Sequence, residues 1–348
     1  MLPVKSPSRF SRQVRRVKGL RNFKVFVPEP EEPETLEILQ KIAEVKIGEA
    51  GRQYTGEEFA HEMTDTSVVI ITSQHHITKD LIHRAPKLQG IVKYGSRPGL
   101  DNVDITAANE RGIRVSYTRG ANSDSVAEFT IALIFALAKK LHNVMPLVKR
   151  NAWRTASCLG LELIEKTVGI IGLGVVGSKV ATKLSCLGMH VLAVDPYVSA
   201  EHAESVHAKL TDLRTLLKQS DIVSIHAQVT DENKHMIGRD QIALMKHSAY
   251  FVNTARGVLV DERALYEALR GGKIAGAAMD VFETEPPTGS PFLSLENVIL
   301  TPHIASWTAD ALKKEASTAA EEAQRILQGI RPINLVNPEV LPSSSKSI

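Results

Sequence analysis

The glycine-rich segment KTVGIIGLGVVGSKVATKLSCLGMHVLAVDPY, at residues 166–197, constrains the fold of this chain more than any other feature. The apolar run TVGII precedes the pattern Gly-x-Gly-x-x-Gly, which opens a helical pattern that reaches about Leu187. A second apolar run, MHVLAV, and an acidic residue follow. The glycine pattern alone is a weak signal, but its place between a predicted strand and a predicted helix is specific. The segment therefore predicts a strand, a tight turn, a helix and a second, parallel strand.

The three glycines of the pattern, Gly172, Gly174 and Gly177, each meet one requirement of a dinucleotide site. The first permits a tight turn, the second lets the backbone approach a pyrophosphate, and the third lets the helix pack against the strand. The N–H groups and the dipole at the helix start then bind the phosphates. Asp195, which lies 18 residues after Gly177, can accept hydrogen bonds from ribose hydroxyls and repel a 2′-phosphate. We therefore predict an NAD site; a glycine turn used only for packing is the alternative.

Short apolar runs alternate with helical patterns along most of the chain, which predicts parallel α/β units. Before the glycine-rich segment, the predicted strands are FKVFVP (23–28), SVVIIT (67–72), LQGIVKY (88–94) and GIRVSY (112–117), and the predicted helices are PETLEILQKIAE (33–44) and TKDLIHRA (78–85). After it, the predicted strands are SDIVSIHAQ (220–228), AYFVNTARG (249–257), IAGAAMDVF (274–282) and VIL (298–300). Because 348 residues exceed what one hydrophobic core usually covers, we predict an α/β fold with two doubly wound parallel-sheet domains.

The segment ANSDSVAEFTIALIFALAKKL, at residues 121–141, is expected to form one long helix with a capping box between Ser125 and Glu128. Its apolar residues occupy nearly all faces, so we expect it to be buried between domains or subunits. The apolar run within it, IALIFALA, is far shorter than the roughly 20 residues needed to cross a bilayer. We therefore expect no membrane span.

Charge and cysteine content limit the possible partners. Residues 1–24 contain eight Lys or Arg and no Asp or Glu, so the net charge of +3 hides an acidic body. We expect residues 1–21 to be a disordered basic arm, with a transit peptide or a nucleic-acid or membrane tether as the alternatives, and we expect no nucleic-acid partner.

Cys158 and Cys186 lack the spacing of a disulfide framework or of a metal site. We therefore predict no metal site, and a reducing compartment, the cytoplasm, is favoured.

Polar residues follow several predicted strands, where ligands of open α/β sheets bind. These residues are His226, Thr254, Arg256, Asp280, Glu285 and, after the last strand, His303. Oxidation of a secondary alcohol by NAD needs a group that titrates near neutral pH to take the hydroxyl proton, and His303 suits that role. A guanidinium can pair with a neighbouring carboxylate and polarise the C2 oxygen, which suits Arg256. Taken singly, each residue could instead be an ordinary solvated loop residue.

Three segments carry a family resemblance: NTARGVLVDERALYEAL, AGAAMDVFETEPP and NVILTPHIAS. They resemble the signature segments of the D-isomer-specific 2-hydroxyacid dehydrogenases, and most of all the short-form phosphoglycerate dehydrogenase-like members. The resemblance implies that Arg256, Glu285 and His303 are catalytic. Glu285, stiffened by two following prolines, would hydrogen-bond the imidazole of His303, favour its protonated form and fix its tautomer. It also implies a homodimer and a D-2-hydroxy acid or 2-keto acid substrate, such as phosphoglycerate, hydroxypyruvate or glyoxylate.

The resemblance also assigns the domains. It implies a Rossmann NAD domain at 117–304 and a flavodoxin-like substrate domain at 22–116 plus 305–341, with a cleft between them. The predicted substrate contacts, mostly in the loop KYGSRPGLDNVD, are Lys93, Gly95, Ser96, Arg97 and Arg256. The predicted cofactor contacts are Gly172, Gly174, Val175, Val176, Gly177, Asp195, His226, Thr254, Ala255 and Asp280.

Alternatives remain for individual residues and for the whole chain. Arg97 could bind a second acid group or a phosphate, or be an exposed loop arginine, and His226 could be structural rather than a cofactor neighbour. The chain could also be an NAD-sensing binding protein, because transcriptional corepressors resemble this family. Formate dehydrogenases are a further relative, but by resemblance they lack a glutamate at the position of Glu285.

Overall fold

The computed structural model of the protein describes residues 23–29, 36–49, 52, 54–72, 74–95 and 102–341. The predicted basic arm at 1–21 lies outside these residues. The strands are β1 (Lys24–Val27), β2 (Glu44–Ile47), β3 (Val68–Ile71), β4 (Gly90–Lys93), β5 (Arg114–Tyr117), β6 (Thr167–Ile171), β7 (His190–Val194), β8 (Ala208–Leu210), β9 (Ile222–Ile225), β10 (Tyr250–Asn253), β11 (Gly276–Met279) and β12 (Val298–Leu300). The helices are α1 (Glu37–Gln40), α2 (Gly56–Met63), α3 (Lys79–Arg84), α4 (Ile105–Glu110), α5 (Ser123–Ala138), α6 (Leu141–Lys149), α7 (Val175–Cys186), α8 (Ala200–Ser205), α9 (Leu213–Gln219), α10 (Arg239–Leu244), α11 (Glu262–Arg270) and α12 (Ala309–Leu327).

The first sheet has the strand order β2-β1-β3-β4-β5, with every neighbouring pair parallel. This is the order of flavodoxin-like domains. Helix α12 returns from the far end of the chain and packs on this sheet through three small residues, Ala319, Ala320 and Ala323, which join a buried cluster with Val25 and Val92. Alanine side chains let the helix approach the sheet closely, which completes the core of this unit.

The second sheet has the order β12-β11-β10-β9-β6-β7-β8, also parallel throughout. Counted from the glycine-rich strand β6, this is the doubly wound order of dinucleotide-binding domains with one added strand. The order reverses between β6 and β9, where a crevice opens at the carboxyl ends of the strands. The predicted fold class, with two doubly wound parallel sheets, is confirmed.

The segment predicted as one helix at 121–141 is two helices. Helix α5 ends at Ala138, Lys140 has φ of 52°, and α6 continues at an angle of 66°. The predicted capping box is wrong, because the helix starts at Ser123 and both residues of the box lie inside it. The Ser125 hydroxyl donates instead to Ala305 O at 2.8 Å, and Glu128 pairs with Lys183.

Helix α5 is the most apolar of the long helices, but it is too short to cross a membrane by itself. Within the described ranges, no single helix is long and apolar enough to cross a membrane. Helices α5 and α6 meet the length and composition criteria only as a bent pair.

The helix predicted at 33–44 is wrong in its second half. Helix α1 is one turn long, and the chain enters β2 at Glu44. The β-branched residues Val45 and Ile47 lie in register with Val25 and Val27 of β1. Pairing with a buried strand therefore overrides the helical pattern of the preceding residues.

Candidate active site

The glycine turn between β6 and α7 has a backbone that fits a dinucleotide. Gly172 has φ of +92°, and a Cβ there would lie 2.6 Å from Ala227 N. A Cβ on Gly177 would overlap the carbonyl oxygen of Gly172, so the helix packs against the turn only with glycine at this position. A Cβ on Gly174 would meet no described atom within 4 Å, which leaves open space for a pyrophosphate at the N-terminus of α7.

Two of the predicted contacts, Val175 and Val176, form the first turn of α7. Val175 is exposed, and Val176 packs against the core of the second sheet. Their backbone N–H groups lie at the positive end of the helix dipole, where a phosphate binds favourably.

Asp195, directly after β7, lies against the same turn. Its Oδ2 accepts a hydrogen bond from Leu173 N at 2.8 Å, and its Oδ1 accepts one from Tyr197 N at 2.9 Å. Two backbone donors therefore fix the carboxylate, and each oxygen keeps a lone pair that can accept from a ribose hydroxyl.

Asp195→Ala is expected to weaken NADH binding by about tenfold or more, because hydrogen bonds to a charged acceptor are lost. NADPH binding is expected to improve, because repulsion of the 2′-phosphate is removed. Fluorescence titration of both cofactors measures the ratio of the two Kd values. Asp240→Ala, which removes an exposed carboxylate from α10, is the matched control. A tenfold preference for NADPH in the unmodified protein would contradict this role of Asp195.

His226, Thr254 and Ala255 follow β9 and β10 at the same edge. The Thr254 hydroxyl is buried and shares a hydrogen bond of 2.8 Å with the Thr130 hydroxyl of α5. Ala255 N donates to Asn253 Oδ1 at 2.9 Å. His226 Nε2 lies 2.9 Å from Ser224 Oγ, and burial lowers the pKa of His226 to about 4.

The depressed pKa of His226 predicts a loss of stability in acid. The unfolded chain binds a proton near the ordinary value of 6.5, whereas the folded chain does so only near 4, so stability falls as the pH drops through this window. Between pH 7 and pH 5 the free energy of unfolding is expected to fall by about 1–2 kcal/mol from this residue. Urea denaturation at both pH values measures it. His226→Asn should remove this component and the exposed control His247→Asn should not; equal pH dependence in all three proteins would contradict the assignment.

His303 lies after β12 on a backbone with φ of 55°. Its Nδ1–H donates to Glu285 Oε2 at 2.6 Å, which leaves Nε2 as the nitrogen that can exchange a proton with a ligand. The two side chains are 42% and 35% exposed, so a small molecule can reach them.

Glu285 is held by two hydrogen bonds. Its Oε1 accepts from Phe282 N at 3.0 Å, while Oε2 faces His303. Burial works against ionisation, but these hydrogen bonds and the charges of His303 and Arg256 outweigh it, and the pKa of Glu285 lies below its usual value. The carboxylate is therefore ionised beside the imidazole at neutral pH.

Arg256 follows β10 and lies close enough to Glu285 for its charge to favour the ionised carboxylate. Its Nη1 donates to Ala255 O at 2.7 Å, and its carbonyl oxygen accepts from Asn253 Nδ2 at 2.9 Å. The structure thus brings the three predicted catalytic residues together at one sheet edge. This arrangement combines a proton carrier, an anion beside it and a cation for a substrate acid group.

Asp280 is fully buried after β11, and the loop that carries His303 engages both of its oxygens. Oδ1 accepts from Thr301 Oγ1 at 2.6 Å and Ile304 N at 3.0 Å, and Oδ2 accepts from Ala305 N at 2.9 Å. Asp280 therefore anchors this loop, a role that sequence reasoning missed. Its predicted contact with the cofactor stays a prediction.

The predicted substrate loop starts at the carboxyl edge of the first sheet. Lys93 is the buried last residue of β4, and Gly95 has φ of +109°. Gly95 N donates to Thr118 Oγ1 at 2.8 Å, so the loop is tied to the end of β5, a contact not foreseen from the sequence. Ser96 and Arg97 lie outside the described residues.

Comparison with known proteins identifies the family. A protein-family model, described as "D-isomer specific 2-hydroxyacid dehydrogenase, NAD binding domain", matches residues 131–305. A D-3-phosphoglycerate dehydrogenase of Methanocaldococcus jannaschii is 40% identical over 320 residues, which cover 92% of this chain and 60% of that protein. This chain therefore spans less than two thirds of the length of that relative.

Two further proteins match over nearly their whole length. A hydroxypyruvate reductase of Thermotoga maritima is 36% identical over 298 residues, covering 85% of this chain and 95% of that protein. The crystal structure of a D-lactate dehydrogenase from Aquifex aeolicus, complexed with NAD and lactic acid, is 31% identical with a TM-score of 0.78, covering 92% of this chain and 100% of that one. The NAD prediction and the family resemblance are confirmed. The chain belongs to the D-isomer specific 2-hydroxyacid dehydrogenase family.

Proposed function

We propose that the protein is an NAD-dependent oxidoreductase that transfers a hydride between NAD and C2 of a D-2-hydroxy acid or 2-keto acid. The observation that carries this proposal is the 2.6 Å hydrogen bond between His303 and Glu285 beside Arg256. It occurs at the carboxyl edge of the sheet whose glycine turn fits NAD. Proton transfer, acid binding and cofactor binding can therefore operate in one crevice.

The two sheets belong to two domains, for which we propose different roles. Residues 117–304 form the NAD domain, and residues 22–116 with 305–341 form the substrate domain. The packing of α12 on the first sheet supports this assignment of the returning segment. Closure of the cleft between the domains would exclude water from the reacting atoms.

His303 and Arg256 perform the chemistry on the substrate side. Arg256 pairs with the substrate carboxylate and polarises the C2 oxygen. In reduction, bound NADH supplies the hydride to C2. His303 Nε2 gives its proton to the forming alkoxide, and ionised Glu285 stabilises the protonated ring before this transfer. In oxidation, the neutral ring takes the hydroxyl proton.

Cofactor contacts follow from the same geometry. The glycine turn and the start of α7 bind the pyrophosphate, and Asp195 binds the adenosine ribose. His226, Thr254 and Ala255 line the crevice at the strand ends. Asp280 acts mainly by anchoring the loop of His303, since that loop engages both carboxylate oxygens.

The substrate is proposed to be a phosphoglycerate, hydroxypyruvate or glyoxylate type of acid, the substrates named for relatives of this chain. A panel of 2-keto acids that contains glyoxylate, hydroxypyruvate, 3-phosphohydroxypyruvate and branched acids, assayed for NADH oxidation, tests the proposal. Rapid oxidation with at least one of them is expected. NADH binding without turnover on any acid would overturn it in favour of an NAD-sensing binding protein.

We further propose a homodimer that acts in the cytoplasm. Helix α6 and the segment after it expose large apolar residues, among them Met145, Val148, Trp153 and Leu159, and such patches mark interaction surfaces. Cys158 and Cys186, the two cysteines of the chain, are free thiols, which suits a reducing compartment. A single-subunit mass by light scattering at micromolar concentration would contradict the dimer.

A further inference from the structure

Two glutamates beside the candidate active site each accept a hydrogen bond from the backbone N–H of the other. Glu262 N donates to Glu283 Oε1 at 3.1 Å, and Glu283 N donates to Glu262 Oε1 at 2.7 Å. Glu262 is the first residue of α11, and Glu283 lies in the loop after β11, 21 residues along the chain. We call this pair the carboxylate clamp.

The carboxylate clamp joins the two segments that carry the catalytic residues. Glu262 ends the segment that begins at Arg256, and Glu283 lies two residues before Glu285. The same segments also touch at Gly257, where a Cβ would overlap the backbone of Phe282 and Glu283. The segments are therefore held together at two points, at Gly257, which opens the short 3-10 helix Gly257–Leu259, and at Glu262, three residues after that helix ends.

Glu283 adds a second cap to the start of α11, because Glu262 N is one of the helix-start donors that have no partner within the helix. Asp261 is already the N-cap residue, and its Oδ1 accepts from Ala264 N at 2.9 Å. The reciprocal bonds thus connect the two segments and add a second partner to a helix end that is already capped.

The carboxylate clamp brings like charges together at an energetic cost. Burial raises the pKa of Glu262, and the charges of Glu283 and Glu285 raise it further, while Glu283 N–H and His235 oppose the shift. His235 Nε2 lies 3.2 Å from Glu283 Oε1, and His235 N donates to Val258 O at 2.8 Å. One imidazole and two backbone donors thus offset the repulsion among the carboxylates.

We infer that Glu262 and Glu283 are positioning residues, which fix the spacing between Arg256 and Glu285 and thereby the orientation of the His303 ring. This inference rests on the proposed function. Neither residue is needed to touch the substrate, because each acts through the backbone of the segment that it holds. Loss of the clamp should lower kcat more than it changes KM, since misplaced catalytic groups lose transition-state contacts first.

Glu283→Ala, Glu283→Gln and Glu267→Gln test the inference in the full chain. Glu283→Ala is expected to lower kcat for keto-acid reduction by about tenfold or more. Glu283→Gln keeps a carbonyl oxygen that can accept from Glu262 N, so it should recover most of that loss. Glu267 lies on α11 but pairs with Arg239 and Arg263 away from the loop, so Glu267→Gln should behave as the unmodified protein.

The pH profile separates positioning from general destabilisation. In Glu283→Ala, the limb where reduction declines should move to lower pH, because Glu285 is no longer held against His303. The charged groups around this loop are Arg256, His235, Glu262, Glu285 and His303. An unchanged kcat and pH profile in Glu283→Ala would overturn the inference, and so would an equal loss in Glu283→Gln.

Hydrogen exchange distinguishes failure of this inference from failure of the proposed function. Amides of residues 280–285 should exchange faster in Glu283→Ala than in Glu267→Gln, whether or not any acid is turned over. Equal exchange rates in the two variants would overturn the inferred positioning role of the carboxylate clamp. Absence of turnover in the unmodified protein would overturn only the proposed function. If Glu283→Ala does not fold, Glu262→Ala removes the same pair from the other side and is judged by the same measurements.

Discussion

His303→Ala is expected to lower kcat for 2-keto acid reduction by about 10²–10⁴-fold, the usual contribution of a positioned proton donor. NADH binding should stay close to that of the unmodified protein, because the glycine turn and Asp195 lie at a different strand end. Steady-state assays and fluorescence titration measure the two quantities. The loss should appear in both reaction directions, since the same ring donates the proton in one and takes it in the other.

His247→Ala is the matched control, because His247 is exposed and lies away from the strand ends of the site. It should keep normal turnover. Substantial activity in His303→Ala would show that another group transfers the proton.

Glu285→Gln should lower kcat near neutral pH by about 10–100-fold, the value of a hydrogen bond between charged groups. Glutamine keeps the shape but removes the negative charge that faces the Nδ1–H of His303. Reduction needs the protonated ring, and its decline with rising pH is therefore expected at lower pH in the variant. Oxidation needs the neutral ring, so its acidic limb should move down as well. Rate measurements against pH in both directions test this.

The acid side of the profile in the unmodified protein follows from Glu285 itself. Burial opposes its ionisation, but His303, Phe282 N–H and Arg256 together hold the pKa of Glu285 below its usual value. The ionised carboxylate, and with it the pair, therefore persists to a lower pH than it would with an ordinary glutamate. Wild-type rates and an unchanged profile in Glu285→Gln would refute the pairing.

Local sterics explain which parts of the fold are readable from sequence. The turn at Gly172 and Gly177 needs positive φ and close backbone approach, and only glycine meets both demands, so its spacing is visible in the chain. The break at Lys140 is not visible, because a lysine with φ of 52° reflects tertiary packing and leaves no pattern. Strand β2 was not predicted for a related reason: its four residues are extended because they pair with β1, a contact between distant residues.

The site divides in the same way. Arg256, Glu285 and His303 are recognisable because each follows a strand and each has a side chain that suits a chemical role. The anchoring role of Asp280 depends on contacts with a loop more than 20 residues away. The carboxylate clamp likewise joins residues 21 positions apart, and no local sequence pattern predicts it. Contacts of this kind require the folded arrangement of neighbouring strand ends.

Direct observation of hydride transfer to C2 tests the proposed reaction. NADH that carries deuterium at both hydrogen positions of nicotinamide C4 is incubated with the 2-keto acid that supports the fastest turnover, and the product is analysed by mass spectrometry, NMR and chiral chromatography. We predict one deuterium at C2 of a D-2-hydroxy acid, formed in step with NADH oxidation and lost in His303→Ala. A product without deuterium at C2, or NADH binding with no product from any 2-keto acid, would contradict it.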